Sequence, residues 1–230
     1  MGEPVLSARG VRKIYRTAAH EVLALRGVDV ELAPGELVTV MGPSGCGKTT
    51  LLNCLSGLDA IDGGQVLVDG VDIHALADGA RTRLRARRMG FVFQTFNLVP
   101  VLSALENVEL PLLVNRLRAR EARRRASEIL ERIGLGDRLG HRPAELSGGE
   151  QQRVAIARAL VAQPAIVWAD EPTGNLDSET ASQVLELLLE LHAGGQTFLV
   201  VTHDRTIAER GDRVLHLRDG RIVDGGGSDP

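Results

Sequence analysis

Residues 41–50 read MGPSGCGKTT, and this stretch constrains the fold more than any other. Before it, ELVTVM (Glu36–Met41) has the apolar, β-branched character of a strand. After it, KTTLLNCLSGL (Lys48–Leu58) reads as a helix. A glycine-rich turn between a strand and a helix start gathers backbone N–H groups at the positive end of that helix, where an anion is favoured. The pattern G-x-x-x-x-G-K-[ST] runs from Gly42 to Thr49 in the context it requires. Gly42, Pro43, Ser44, Gly45, Cys46, Gly47, Lys48, Thr49 and Thr50 are therefore the candidate phosphate-binding residues. The glycines let the amides curl around α- and β-phosphates, Lys48 reaches the β/γ oxygens, and the Thr49 hydroxyl is a magnesium ligand. Of 27 basic residues only Lys13 and Lys48 are lysines, so a lysine at this position is not surface filler. Cys46, beside Lys48 and a helix N-terminus, is expected to have a lowered thiol pKa and to be alkylated unless nucleotide blocks it.

The rest of the chain alternates in the same way. GGQVLVDG (Gly63–Gly70) and RMGFVFQ (Arg88–Gln94) are strand candidates, and Ser103 to about Gly140 is helical, opened by the capping box SALE. AIVWAD (Ala165–Asp170) is a continuous apolar run, as in a strand buried on both faces, and after a helix at about Ser178–His192 comes the strand TFLVVT (Thr197–Thr202). RVLHLRDGRIV reads as a hairpin turning at Asp219-Gly220. Near the N-terminus, VLSARGVRKIY and LRGVDVEL read as antiparallel strands. The expectation is an α/β chain with a helix-covered parallel sheet, extending over 5–223 as one unit, with a disordered tail at 224–230.

A chain of 230 residues can bury a substantial core. Its net charge of −3 gives no overall attraction to nucleic acid or anionic lipid. The longest uncharged run, Met89–Leu105, is 17 residues, contains Gln94, Asn97 and Pro100, and falls short of the ~20 apolar residues of a membrane span. If the chain works at a membrane, another chain supplies the span. Cys46 and Cys54 stand eight positions apart in a predicted helix, about 12 Å, too far for a disulfide.

Several polar residues sit where strands end. Asp170 closes AIVWA, where a carboxylate holding magnesium through its water belongs, and Glu171 follows at once. Two adjacent carboxylates leaving an apolar strand need a cation or a proton-transfer role to offset their cost; Glu171 reads as the base that orients and deprotonates the attacking water. His203 follows TFLVVT, at the carboxyl end of a core strand where ligands of open α/β sheets gather; position alone leaves a structural histidine open. Gln94, after GFVF, is equally read as a satisfied loop amide. Tyr15, the single tyrosine, offers a face that could stack on adenine. Trp168 lies inside a buried strand and reads as core. The clusters Arg81–Arg88 and Arg116–Arg125 read as solvated helix faces, with a phosphate-binding patch as the alternative.

A second helix start carries the same chemistry as the first. In HRPAELSGGEQQRVAIARAL (His141–Leu160), Ser147 and Glu150 form a capping box, S-x-x-E. Gly148 and Gly149 inside it leave the backbone open to a phosphate. One domain thus carries two phosphate-reading helix starts, and the second could close the open side of a γ-phosphate in the same chain or in a second copy.

Taken together and in order, these motifs resemble the ATP-binding cassette family. GPSGCGKTT looks like its Walker A, Gln94 its Q-loop, LSGGE its signature motif, and IVWADE its Walker B with catalytic glutamate. GNLDS looks like the D-loop, with Asn175, Leu176 and Asp177; His203 looks like the switch histidine, and Tyr15 falls where the adenine-stacking aromatic is expected. The resemblance implies a P-loop NTPase fold with an antiparallel β subdomain and an α-helical signature subdomain at about 95–160. It implies ATP and Mg²⁺ as ligands, with Thr49, Gln94 and Asp170 around the metal. Two cassettes would pair head to tail, each P-loop closed by Ser147, Gly148, Gly149 and Glu150 of the other. Glu150 departs from the commoner glutamine.

RMGFVFQTFNLVPVLSALENVELPLL, HRPAELSGGEQQRVAIARALV and ADEPTGNLDS resemble the branch of lipoprotein-releasing and macrolide-export ATPases, with the cell-division cassette a near relative. The implied role is a transport ATPase on the inner face of the cell membrane, cytoplasmic and peripheral, serving integral membrane permease subunits and no nucleic acid. The alternative is a cassette that regulates a cell-wall enzyme across the membrane. DNA-repair and translation cassettes need insertions or a second cassette that the sequence lacks. The segment after Gln94 together with the helices from Ser103 to Gly140, with apolar Phe96, Leu98, Val99 and Leu102 expected at the surface, would be the docking face for the membrane partner, with ordinary packing within the helical subdomain as the alternative.

Overall fold

The computed structural model describes residues 3–16 and 20–223; the tail expected at 224–230 lies outside the described residues. Its elements in order are β1 (Leu6–Arg16), β2 (Glu21–Leu32), β3 (Leu37–Met41), α1 (Lys48–Leu55), β4 (Gly63–Val68), β5 (Val71–Asp72), α2 (Asp78–Arg88), β6 (Met89–Phe93), α3 (Ala104–Val114), α4 (Ala119–Arg132), α5 (Gly148–Leu160), β7 (Ile166–Asp170), α6 (Ser178–Ala193), β8 (Phe198–Val201), α7 (Arg205–Ala208), β9 (Arg213–Arg218) and β10 (Arg221–Val223). Chain packing divides them into two units, one ending at Thr82 and resuming at Gly195, the other Arg83–Gly194.

The first unit holds an antiparallel sheet in the order β2-β1-β4-β5. Leu6, Ala8 and Val11 of β1 and Leu25, Val28, Val30 and Leu32 of β2 are all buried. Beside it, β3 pairs in parallel with β8 and β9, with Val40 opposite both Val201 and Leu215. Leu37, Val38 and Val40 of β3 and all four residues of β8 are buried, as in strands covered on both faces. The β9–β10 hairpin turns at Asp219 and Gly220, whose φ values of 47° and 72° are those of the tight turn that matches strand twist.

In the second unit β6 and β7 pair in parallel, with Val92 opposite Ala169 and Phe93 opposite Asp170. Trp168 is fully buried in β7, as a core residue. A helical layer has its own core, in which Ala122, Ala126 and Leu130 of α4 meet Val108 and Leu112 of α3 and Val154 and Ala157 of α5. That four-residue spacing leaves the arginines of α4 on its outer face, as the sequence suggests. Arg124 pairs with Glu121 and Glu128, Arg125 with Glu121, and Arg123 with Glu109.

One surface expectation changes. Phe96, Leu98, Val99 and Leu102 are half-buried rather than exposed, and Leu98 packs on the helical core. The exposed large apolar side chains of this unit are instead Val101 (73%), Leu113 and Val114 (64%).

Candidate active site

In the first unit, β3 delivers the chain into the loop Gly42–Gly47, and α1 begins at Lys48. Gly45 (φ 78°) and Gly47 (φ 105°) adopt left-handed backbone that only glycine takes readily. A Cβ at Gly42 would lie 2.2 Å from the Leu217 carbonyl oxygen, and one at Gly47 2.8 Å from that of Ala24. The loop is backed by the β9–β10 turn, because Gly220 N–H donates to the Cys46 carbonyl (3.1 Å). No side chain caps the start of α1 and no acidic residue stands in its first turn. A glycine cradle leading into uncapped helix amides fits a phosphate group. Pro43, Ser44 and Thr49 are exposed at its rim, and Thr50 is half-buried. Lys48 Nζ donates to the carbonyls of Gly42 (2.8 Å) and Pro43 (3.0 Å).

The Cys46 thiol contradicts its expected acidity. Burial raises its pKa and outweighs the Lys48 charge and amide hydrogen bonds that act the other way. Cys54 is pushed up to about 12, again chiefly by burial. Both thiols are free.

His203 is exposed just past β8. Parallel pairing of β3 and β8, continued by Thr202 N–H donating to the Val40 carbonyl (3.1 Å), puts it at the strand ends from which the phosphate loop also departs. Tyr15 stands near the end of β1, 39% exposed, its hydroxyl donating to Asp59 Oδ2 (2.9 Å).

In the second unit the register of Phe93 opposite Asp170 makes Gln94 and Glu171 leave the same end of the sheet. Asn175 links to Gln94 twice: Gln94 Nε2 donates to Asn175 Oδ1 (3.2 Å), and Asn175 Nδ2 to the Gln94 carbonyl (3.0 Å). Gly174 passes so close that a Cβ there would meet Gln94 Nε2 at 2.8 Å. Glu171 has a φ of 47°, a strained conformation for a non-glycine residue and one that clusters at functional sites. Its carbonyl accepts from Gly174 N–H (3.0 Å), and the next carbonyl, that of Pro172, accepts from buried Gln152 of α5. Asp177 caps α6, accepting from the Thr180 N–H (3.0 Å) and hydroxyl (2.7 Å). The first of these bonds does most to hold its carboxyl below the usual range. Leu176 approaches Gly148: a Cβ there would lie 3.4 Å from Leu176 Cδ2.

The capping box at α5 is present as read: Glu150 N–H donates to Ser147 Oγ (3.3 Å) and Ser147 N–H to Glu150 Oε2 (2.8 Å). Glu150 Oε1 accepts from Arg138 Nε (2.9 Å). The Ser147 amide first, then Arg138, keeps this carboxyl below its ordinary pKa. The two glycines differ in cause. Gly148 remains half-exposed, whereas Gly149 is buried, and a Cβ there would collide with Thr180.

Three supporting residues escaped the sequence reading. Gln152 braces the turn after Glu171. Arg158, also on α5, donates to the carbonyls of Asn97 (2.6 Å) and Phe96 (2.8 Å), two residues in left-handed backbone just beyond Gln94. Asn107, fully buried, accepts from Val99 N–H and donates to the carbonyls of Val99, Leu102 and Ser103. A polar side chain among the apolar residues of a helix, Asn107 in α3 or Arg158 in α5, was the available signal.

Comparison with known proteins agrees with these motifs. A family model described as "ABC transporter" matches residues 25–174. The lipoprotein-releasing system ATP-binding protein LolD of Pseudomonas fluorescens is 54% identical over 220 residues, spanning 95% of this chain and 97% of that protein. The macrolide export ATP-binding/permease protein MacB of Brucella melitensis is 46% identical over 96% of this chain but only 34% of its own length. A dimeric structure of MJ0796, a bacterial ABC transporter cassette, superposes with a TM-score of 0.87 at 44% identity, covering 94% of this chain and 96% of that one. A dimeric post-hydrolysis state of the same cassette, bound to ADP and Pi, gives 0.86 at 43% identity with the same coverage.

Proposed function

The chain belongs to the ABC transporter family, and on that premise we propose that it is the ATP-binding and ATP-hydrolysing subunit that powers separate membrane permease subunits, in extrusion of the lipoprotein-releasing or macrolide-export type. Its work site would be the inner face of the cell membrane, through those subunits. Among the described residues no helix is long and apolar enough to cross a membrane. The proposed extent is a single cassette over 5–223, with the helical signature subdomain at about 95–160.

The observation that carries this reading is the pair of helix starts. One is an uncapped glycine cradle at α1; the other is a capped serine-glycine start at α5. In the proposed cycle the amides of 42–50 and Lys48 bind the triphosphate, and Tyr15 stacks on the base. Ser147, Gly148, Gly149 and Glu150 of a second copy close over the γ-phosphate, with Asn175, Leu176 and Asp177 along the seam. Glu171 then takes the proton of the attacking water, with His203 and Gln94 orienting the reacting groups. Magnesium, with Thr49, Gln94 and Asp170 as its proposed ligands, would neutralise charge on the β- and γ-phosphates. The likeness to LolD and MacB favours transport over the regulation of a cell-wall enzyme.

Light scattering coupled to size exclusion of Glu171→Gln, with and without Mg-ATP, tests the closure. The expected result is a monomer that becomes a dimer only with Mg-ATP, and steady-state hydrolysis reduced on the order of 10²–10⁴-fold. A variant that binds ATP yet stays monomeric contradicts closure by the isolated chain. Introducing a charge at an exposed apolar position of the proposed docking face, Val101→Asp or Val114→Asp, should uncouple the membrane partner and leave basal hydrolysis intact. If both fall together, the docking reading is wrong.

A further inference from the structure

Tyr15 is not a loose ring at a strand end. Its hydroxyl donates to one oxygen of Asp59, 44 positions along the chain, and shares a hydrogen bond with the Thr50 side chain. The other Asp59 oxygen accepts from Lys13 Nζ (2.7 Å), which also donates to the Ala60 carbonyl (2.7 Å). Lys13 is itself buried, and its ammonium stands over the Tyr15 ring, 4.9 Å from the centroid. Burial pushes the Asp59 carboxyl up, but the hydrogen bonds from Lys13 and Tyr15 outweigh it and leave Asp59 below its usual range. It is therefore a full carboxylate acceptor at neutral pH.

The ring is thus fixed at its hydroxyl and supported on one face by a cation, with 39% of the residue still exposed. An untethered tyrosine at such an edge would exchange rotamers on the picosecond-to-nanosecond scale and would have to be ordered on binding. We propose that Asp59, anchored by Lys13, is the positioning residue that holds the Tyr15 ring ready to stack on the nucleotide base, so that this trio sets affinity for the base separately from the phosphates. The inference rests on reading Tyr15 as the base-stacking aromatic. The lysine over one face of the ring draws electron density towards itself and away from the other face, which suits stacking of that other face against a purine.

The test measures Mg-ATP and inorganic tripolyphosphate binding to the full chain by calorimetry. Four variants are compared with the unaltered protein: Tyr15→Ala, Tyr15→Phe, Asp59→Ala and the double variant Tyr15→Phe/Asp59→Ala. The expected result is ATP binding weakened more than tenfold by Tyr15→Ala and about fivefold by Tyr15→Phe or Asp59→Ala. Tripolyphosphate binding should be unchanged throughout, and the double variant no weaker than Tyr15→Phe alone. Normal ATP binding by Tyr15→Phe, alongside a loss in Tyr15→Ala, overturns the positioning role and leaves base stacking intact. Normal binding by Tyr15→Ala overturns the stacking reading itself. Equal weakening of ATP and tripolyphosphate in Asp59→Ala means that Asp59 merely staples β1 to the loop after α1, which also overturns the proposal. Tyr15→Phe keeps the result decisive if Asp59→Ala does not fold.

Discussion

Gly149 and Thr180 occupy each other's space: a Cβ on Gly149 would lie 2.3 Å from Thr180 Cγ2. Thr180 cannot swing away cheaply, because its backbone and its hydroxyl are both bound to Asp177. Gly149→Ala should therefore destabilise the protein by ~1–3 kcal/mol, the usual cost of overpacking. Thr180→Ser removes the offending methyl and keeps the hydroxyl, so it should restore most of the loss in the double variant. Urea unfolding of the two single variants and the double variant measures this; a Gly149→Ala protein as stable as the original would refute the packing account.

Thiol chemistry gives a second test. Burial raises the pKa of Cys46 above its ordinary value of 9.0 and that of Cys54 to about 12. Since the thiolate is the reactive form, iodoacetamide at pH 7 should label neither cysteine in the native protein and both after unfolding in urea. Labelling of Cys46 should accelerate only above pH 9, and that of Cys54 later still. Rapid, ATP-protected labelling of Cys46 at neutral pH would revive the acidic thiol expected from its sequence neighbours.

The Lys13–Asp59 pair makes a pH prediction. Asp59 has a folded pKa below 3.8, so its contribution is full above pH 3.8 and fades as pH falls through the lower folded value. Lys13 has a folded pKa above 10.5, so its contribution is full below pH 10.5 and is lost as pH rises through the folded value. Lys13→Met should cost ~2 kcal/mol, less than a fully buried pair because Asp59 is 33% exposed. That difference should stay flat from about pH 5 to pH 9 and shrink in stronger acid. Denaturation midpoints across pH follow it; a difference growing towards acid would mean the sign is wrong.

Arg158 gives a fourth. Its guanidinium is the bracket for Phe96 and Asn97, whose φ values are 60° and 50°. Arg158→Met removes two charge-assisted bonds at ~1.5–3 kcal/mol each, partly offset by solvation of half-exposed carbonyls. Hydrogen exchange in the 95–99 segment should rise well above that of β6. Arg158→Lys should recover only part, since one ammonium does not reproduce the two-pronged fork. Unchanged exchange in Arg158→Met would show that Asn107 alone holds the segment.

Long apolar periodicity carried the fold. β7 read as a buried strand because almost every residue in it is apolar, β3 and β8 read as strands from their apolar, β-branched runs, and α4 lies in the stretch read as helical, where Ala122, Ala126 and Leu130 recur every four positions. β5 and α7 have two and four residues, too few for any period to show. At the site, the cradle was legible because its glycines answer a local need for positive φ. Cys46 was misread because its neighbours along the chain favour the thiolate while burial, a property of the folded unit, opposes it. A further reason for glycine at 149 was equally hidden from the sequence: the atom that excludes a side chain there belongs to Thr180, 31 positions away. Lys13 carried an unused signal, since scarcity argued for Lys48 and applied equally to the other lysine.

Lys48 donates both of its described hydrogen bonds to carbonyls of its own loop. It is a strut of the cradle as well as a charge for what the cradle holds. Replacing it with alanine would slacken the loop and delete the positive charge in one step, so a dead Lys48→Ala protein confounds two defects. Only a comparison that scores loop order and ligand affinity separately, variant by variant, can say how much of the lysine's value is architecture.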